Sequence, residues 1–305
     1  MRSRAATLSD SFPGVMRTPP VSCLLVFAAL VGACHHDIPS LDPRFVVEPP
    51  LRPTFLPPED GPLVETVRGA SGAQEVELTT VSLFTPEAPG WLLTQRVTRS
   101  RYTRAGVEVR SWVDEALQRA PLRLRLAADG TFVRLEAPDA ARAALRELST
   151  AGWDVSALER VLAPDALEAR TRREWEVTYG GVYGRTWVPG QRGHAVGGLS
   201  LADGEVTYLL ERTLTGTRLT EQGEVLVFAL RCLGPPGDTS PPEVWDVWRS
   251  AGEPPLTPGV ECDGEQWLGK GRFLPVRRTF TLRGQRGAET WSWWMDAFLE
   301  PNHEP

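Results

Sequence analysis

Several things are scarce in this chain, and each scarcity narrows what it can do. Lysine is nearly missing: Lys270 is the only one among 33 basic residues, which leaves 32 arginines. Both side chains carry the same charge, so we read the bias as codon usage in a high-GC genome rather than as chemistry. Histidine occurs four times, as His35, His36, His194 and His303, and only His194 falls in a region that reads as folded. It lies in a Gly-rich stretch, where a plain loop residue is the simpler reading than a general base. There is no Gly-x-Ser-x-Gly elbow, no His-Glu-x-x-His helix and no Gly-rich phosphate loop ending in Lys. The acid pairs Asp114-Glu115 and Asp296/Glu300 are neighbours in sequence, which does not place them on two sides of one substrate as glycosidase chemistry requires. Neither catalysis, a cofactor nor a metal site is expected. A basic excess is also lacking. The 33 basic and 39 acidic residues, less Arg2, Arg4, Arg17 and Asp10 in residues 1–33, leave 30 and 38, a net charge of −8. That excludes general nucleic-acid binding, which needs a basic footprint. After Val31 no run is apolar enough to span a bilayer, which takes about 20 residues.

What is present begins at the N-terminus. Arg17 and Thr18-Pro19-Pro20 precede an apolar run, Cys23 to Val31, that ends in Leu30-Val31-Gly32-Ala33-Cys34. A short basic head, a short apolar stretch and small residues before a cut make a secretory signal. Met16 to Ala33 is a compact length for one, so Met16 is the expected start and residues 1–33 the signal region. The cysteine at the cut resembles the lipobox of bacterial lipoproteins. The resemblance implies cleavage between Ala33 and Cys34, a lipid on the Cys34 thiol, and a mature chain anchored in the cell envelope. It also implies the outer membrane over the inner, because His35 stands where some bacteria use an aspartate for inner-membrane retention.

With Cys23 removed and Cys34 lipidated, Cys232 and Cys262 remain, and two thiols in an oxidising compartment most simply pair. Residues 34–62 read as a tether. Prolines at 39, 43, 49, 50, 53, 57, 58 and 62 deny it a β-ladder and keep it extended. His35-His36-Asp37 at its start reads as solvated tail rather than a metal ligand set.

From Leu63 the hydrophobic period is two. Val76, Leu78 and Thr80 alternate with acids and Thr, and Trp91 to Val97 follows. Val107, Val109, Ser111 and Val113 read as the next strand, after a turn at Ala105-Gly106. Leu122, Leu124 and Leu126 alternate with Arg123 and Arg125, and Asp129-Gly130 before Thr131 to Leu135 signals a hairpin. The period then changes. Ala141, Ala144, Leu145 and Leu148 lie on one helical face, with Gly152 as a stop, and a second helix opens at Ser156. This insert is placed at 138–172. Strands resume at Trp175-Val177-Tyr179, then after a Gly-rich connection at Val206, Tyr208 and Leu210. Glu224 to Cys232 is the most apolar strand, expected to be covered on both faces. A long loop at 233–270 carries a short helix opened by Ser240-Pro241-Pro242-Glu243, and the last strands fall near 272–283 and 288–299. The reading is one α+β domain over 63–300, with a tail at 301–305: a large, curved antiparallel sheet of eight to eleven strands with a two- to three-helix insert. This order of strands, helical insert and strands resembles the half-barrel of periplasmic lipoprotein-carrier and lipoprotein-insertion proteins.

Three features invite function. Eleven tryptophans are many for this length. Trp291 and Trp293 share a strand face, with Trp294 on the other, and read with Trp175 as core. Trp245 and Trp248 fall on the short helix of the long loop, where a ligand site is as natural as packing. Arginines concentrate between Arg96 and Arg134, and Arg99 with Arg101, and Arg123 with Arg125, each share a face that could meet an anionic surface. A solvated face paired with acids is the plainer alternative. The functional expectation is a non-enzymatic envelope lipoprotein that binds a hydrophobic ligand or an envelope component. A purely structural or surface-display lipoprotein comes second and an enzyme third.

Overall fold

A computed structural model describes residues 50–58, 61–148, 156–201, 204–286 and 289–301. All belong to one compact unit that starts at Arg44. The signal region, Cys34, His35, His36, Gly152 and the tether up to residue 49 lie outside the described residues.

The first half contains β1 (Leu63–Ser71), β2 (Gln74–Glu87), β3 (Gly90–Arg104), β4 (Val107–Val109), α1 (Trp112–Arg119), β5 (Leu122–Leu126) and β6 (Phe132–Glu136). Three helices follow: α2 (Asp139–Leu148), α3 (Ser156–Val161) and α4 (Pro164–Thr178). The second half contains β7 (Arg192–Leu201), β8 (Gly204–Thr220), β9 (Gly223–Leu233), α5 (Pro242–Ser250), β10 (Glu261–Gly269), β11 (Pro275–Arg286) and β12 (Glu289–Pro301). Every described strand pairing is antiparallel, and the twelve strands make one sheet in the order β6-β5-β3-β2-β1-β12-β11-β10-β9-β8-β7, with β4 beside the far end of β3. The α+β curved-sheet reading holds, with one strand more than the upper expectation.

This order explains where the helices go. β6 and β7 are the two ends of the sheet, and the chain passes from one to the other through α2, α3 and α4. A connection from one edge of a curved sheet to the other crosses its concave face, and α4 packs there on both β6 and β7. Alternation decides which side chains meet it. Val67 on β1, Leu78 on β2, Val97 on β3, Leu124 on β5, Leu230 on β9, Phe280 on β11 and Met295 on β12 point inward. β9 buries Val225, Leu226, Val227 and Phe228 in succession, as a strand covered on both faces does.

Several sequence expectations need correction. The strand placed at 107–113 ends at Val109. Ser111 caps a helix instead, its hydroxyl accepting from the Asp114 amide at 3.3 Å, and Asp114 and Glu115 in the first turn favour the positive end of the helix dipole. Trp175, Val177 and Tyr179 are not a strand. They close α4, whose buried stripe is Leu167, Thr171, Trp175 and Thr178, and the Tyr179 amide donates to the Trp175 carbonyl. Three alternating residues fit either period, so the helical stripe upstream decides. The Gly-rich connection holds a strand, β7, in which Gly197 leaves room for the Tyr208 ring, since a Cβ there would stand 2.4 Å from it. The loop at 233–270 contains strand β10, which carries Cys262 and Trp267. Finally, the last part of the tether belongs to the folded body. Leu51 pairs with Trp187, and Phe55, 2% exposed, packs against Phe84, Trp175 and Tyr183. Proline forbids a ladder, but it does not forbid packing.

Candidate functional site

Between the concave sheet and the helices lies a cavity of about 520 Å³, within the range of roughly 300–1,000 Å³ that holds small ligands. Its floor is the inward phase of the strands. Its roof is α4, with α1 and Val161 of α3 at the side. α4 is pinned from several directions. Trp175 donates its indole N–H to the Gly130 carbonyl at 2.9 Å and stacks on Tyr179 at 4.2 Å. From β8, Arg212 reaches the carbonyls of Glu176 and Val177 at 3.0 and 2.9 Å, placing a cation at the negative end of the helix. From β10, the Gln266 amide donates to the Thr178 carbonyl at 2.5 Å.

The lining is mostly apolar, with Val67, Val76, Leu78, Val97, Leu122, Leu124, Leu199, Leu210, Leu230 and Phe280 among it, and Trp175 and Trp293 are its tryptophans. Six charged side chains also line it: Glu65, Asp114, Arg170, Arg173, Glu174 and Arg278. Near α1, Tyr102 lies beside Asp114, and its hydroxyl pKa is pushed up first by burial and then by that carboxylate. One oxygen of Asp114 and the hydroxyl of Thr171 are buried without a hydrogen-bond partner. Near the middle of the sheet stand Glu65 and Arg278, and Tyr208 lines the cavity from β8, one strand in from the β7 edge. Burial raises the Glu65 carboxyl above its ordinary value of 4.5, Arg278 pulls the other way, and Glu174 adds to the rise. Burial pushes the Tyr208 hydroxyl up to about 12. Glu65 keeps part of its surface open, but that surface faces the cavity, so the carboxylate still lies in a weakly solvated place.

These polar residues were missed by the sequence reading, although a signal for two of them exists. Glu65 shares its strand face with Leu63 and Val67, and Arg278 shares its face with Phe280 and Leu282. A charge in the apolar phase of an alternating strand is rarer than one in the polar phase.

The residues singled out from sequence sit elsewhere. Val244 of α5 packs on Val196 and Leu209, which face away from cavity-lining Leu210, so α5 lies on the convex side. Trp248 joins that cluster and donates to the Pro254 carbonyl at 3.1 Å, while Trp245 meets it edge-on at 5.6 Å. Neither lines the cavity. Trp291 and Trp293 pack on the inner cluster, and Trp294 points outward. The four arginines lie on the convex face as well. Arg99 pairs with Glu77 at 3.4 Å, and Arg125 bridges Glu87 and Glu136, both at 2.8 Å. Arg101 stands opposite Glu77 and Arg123 opposite Glu136. Ion pairs thus engage Arg99 and Arg125 of the four. His194 is on β7, not in a loop. Its Nε2 is 3.3 Å from Glu211, which also takes Arg231, on the side away from the cavity. Among the described residues no cluster of His, Cys, Asp or Glu suits a metal ion, and no helix is long and apolar enough to cross a membrane. Cys232 on β9 and Cys262 on β10 form the expected disulfide.

No protein-family model matches this chain, and no curated protein does either.

Proposed function

We propose that this is a cell-envelope lipoprotein, anchored by a lipid on Cys34, whose domain binds a hydrophobic ligand between its curved sheet and α4. The observation that carries the binding half is the cavity of about 520 Å³, apolar over most of its lining, with charged side chains facing into it. A domain selected only to be a scaffold gains from filling such a space, since each buried void forfeits packing contacts. The lipobox-like Val31-Gly32-Ala33-Cys34 supports the anchoring half. The disulfide is consistent with export, because such bonds persist in oxidising compartments. An outer-membrane location rests on His35 alone.

Both halves are testable. The wild type takes up labelled fatty acid at its N-terminus, and Cys34→Ser does not; acylation of the variant ends the lipoprotein reading. For binding, the mature chain carrying Cys34→Ser is exported behind a cleavable signal and extracted into solvent for mass spectrometry, then titrated with a fluorescent fatty acid. We expect co-purified lipid, saturable probe binding and shielding of the half-buried Trp293 from acrylamide. Absence of lipid together with no displaceable probe leaves a purely structural lipoprotein.

A further inference from the structure

Arg277 and Arg278 are successive residues of β11 with opposite fates. Arg277 points to the convex face and clamps Asp296 with two hydrogen bonds, at 3.1 and 3.0 Å. Arg278 points into the cavity and forms no ion pair with any described residue. Its Nη1 donates to the Thr178 hydroxyl of α4 at 2.6 Å, its Nη2 has only the Met295 sulfur at 3.9 Å, and its Nε is buried with no partner. Nε offers almost no surface of its own, so a ligand in the cavity meets the guanidinium at Nη2, whose only partner is that weak sulfur acceptor. A carboxylate oxygen is a far stronger acceptor for it. The Thr178 hydroxyl and the more distant Glu65 charge offset only part of the cost of holding this cation in a weakly solvated site, and an anion that reaches it supplies more.

The surroundings restrict which anion. Three acids, Glu65, Asp114 and Glu174, line the cavity with Arg170, Arg173 and Arg278, so the formal charge of the lining balances and does not call for a multiply charged head. From Arg278 the inward phase then turns apolar across neighbouring strands: Met295 on β12, Val67 on β1, Leu78 on β2, Val97 on β3 and Leu124 on β5. Five strand spacings of about 4.8 Å make a path of roughly 24 Å, which suits a long chain.

Building on the ligand-binding reading above, we propose that Arg278 receives the carboxylate of a long-chain fatty acid at Nη2, with the acyl chain laid across the sheet toward β5. The cavity then selects a free acid over an uncharged lipid of equal length.

The test compares hexadecanoate with hexadecanol, by displacement of a fluorescent probe from the mature chain carrying Cys34→Ser. The expected result is an acid that binds about tenfold tighter than the alcohol, and an Arg278→Gln variant in which the two come within about twofold of each other. The wild-type ratio needs no variant, so a folding defect in Arg278→Gln does not shield the proposal. Equal affinities in the wild type overturn the head-group assignment and leave the cavity as a binding site. Failure of both ligands to bind overturns the cavity reading and this assignment with it.

Discussion

Removing the disulfide tests how the second half of the sheet is held. Cys232 and Cys262 are 30 residues apart. In the unfolded chain the bond closes that loop, and the loop-entropy relation gives about 3.6 kcal/mol for it at room temperature. The folded state should change little when both become alanine. β9 and β10 stay paired from Arg231↔Asp263 to Val225↔Gly269, and the intervening α5 keeps its packing on Val196 and Leu209. The loss thus falls mainly on the unfolded side. Cys232→Ala with Cys262→Ala should lower stability by about 3.6 kcal/mol and raise the urea m-value, because an uncrosslinked chain exposes more surface. Urea titration followed by tryptophan fluorescence, with and without dithiothreitol, reads both. Reductant should bring the wild type to the variant's midpoint and leave the variant unmoved. A wild type insensitive to reductant, or a variant with the wild-type midpoint and slope, would refute the reasoning.

Two further outcomes follow from side-chain positions. Burial raises the Glu65 pKa above its unfolded value, so between the two values the folded state keeps a proton that the unfolded state has lost. Stability therefore falls as pH rises through that window and stays lower above it; Glu65→Gln should be more stable than wild type near neutrality and converge with it below 4.5, as melting temperatures across pH would show. Trp248→Ala should cost about 2 kcal/mol or more, as a large-to-small change in packed surroundings does, yet leave fatty-acid affinity unchanged, because α5 is on the convex face. Urea melts and probe displacement together decide it: weakened binding at unchanged stability would move the site to α5.

How far the sequence could be read depended on whether a second local signal competed with the period. The alternations Val76 to Thr80 and Leu122 to Leu126 placed their strands, and the stripe Ala141, Ala144, Leu145, Leu148 placed α2. A competing signal defeated the reading elsewhere. Val107 to Val113 alternates over four positions, and the capping pattern Ser111-x-x-Asp114 inside it outweighs that period. Glycines at 193, 197 and 198 read as loop because their use is relational: Gly197 is needed only once Tyr208 lies across from it. The cavity itself was out of reach for the same reason. It exists because α4 crosses from one sheet edge to the other, and no local pattern states which strands are edges. The aromatic count drew attention to α5, whereas the charges that the sheet turns toward the space are the ill-phased Glu65 and Arg278.

The junction of β1 with β12 bears on how the molecule assembles. Every other junction in the sheet joins strands close in sequence, so each half can zip up as a local meander. Leu63 must find Pro301 across nearly the whole domain. Loop closure grows more costly only slowly with length, by about 0.6 kcal/mol per doubling, so the join is affordable in equilibrium terms but late in time. Until it forms, two half-sheets present raw edges, and the β12 edge carries Trp291, Trp293 and Trp294. Such an edge invites pairing with another chain. The interval before those two strands meet is therefore when the chain is most in need of a chaperone.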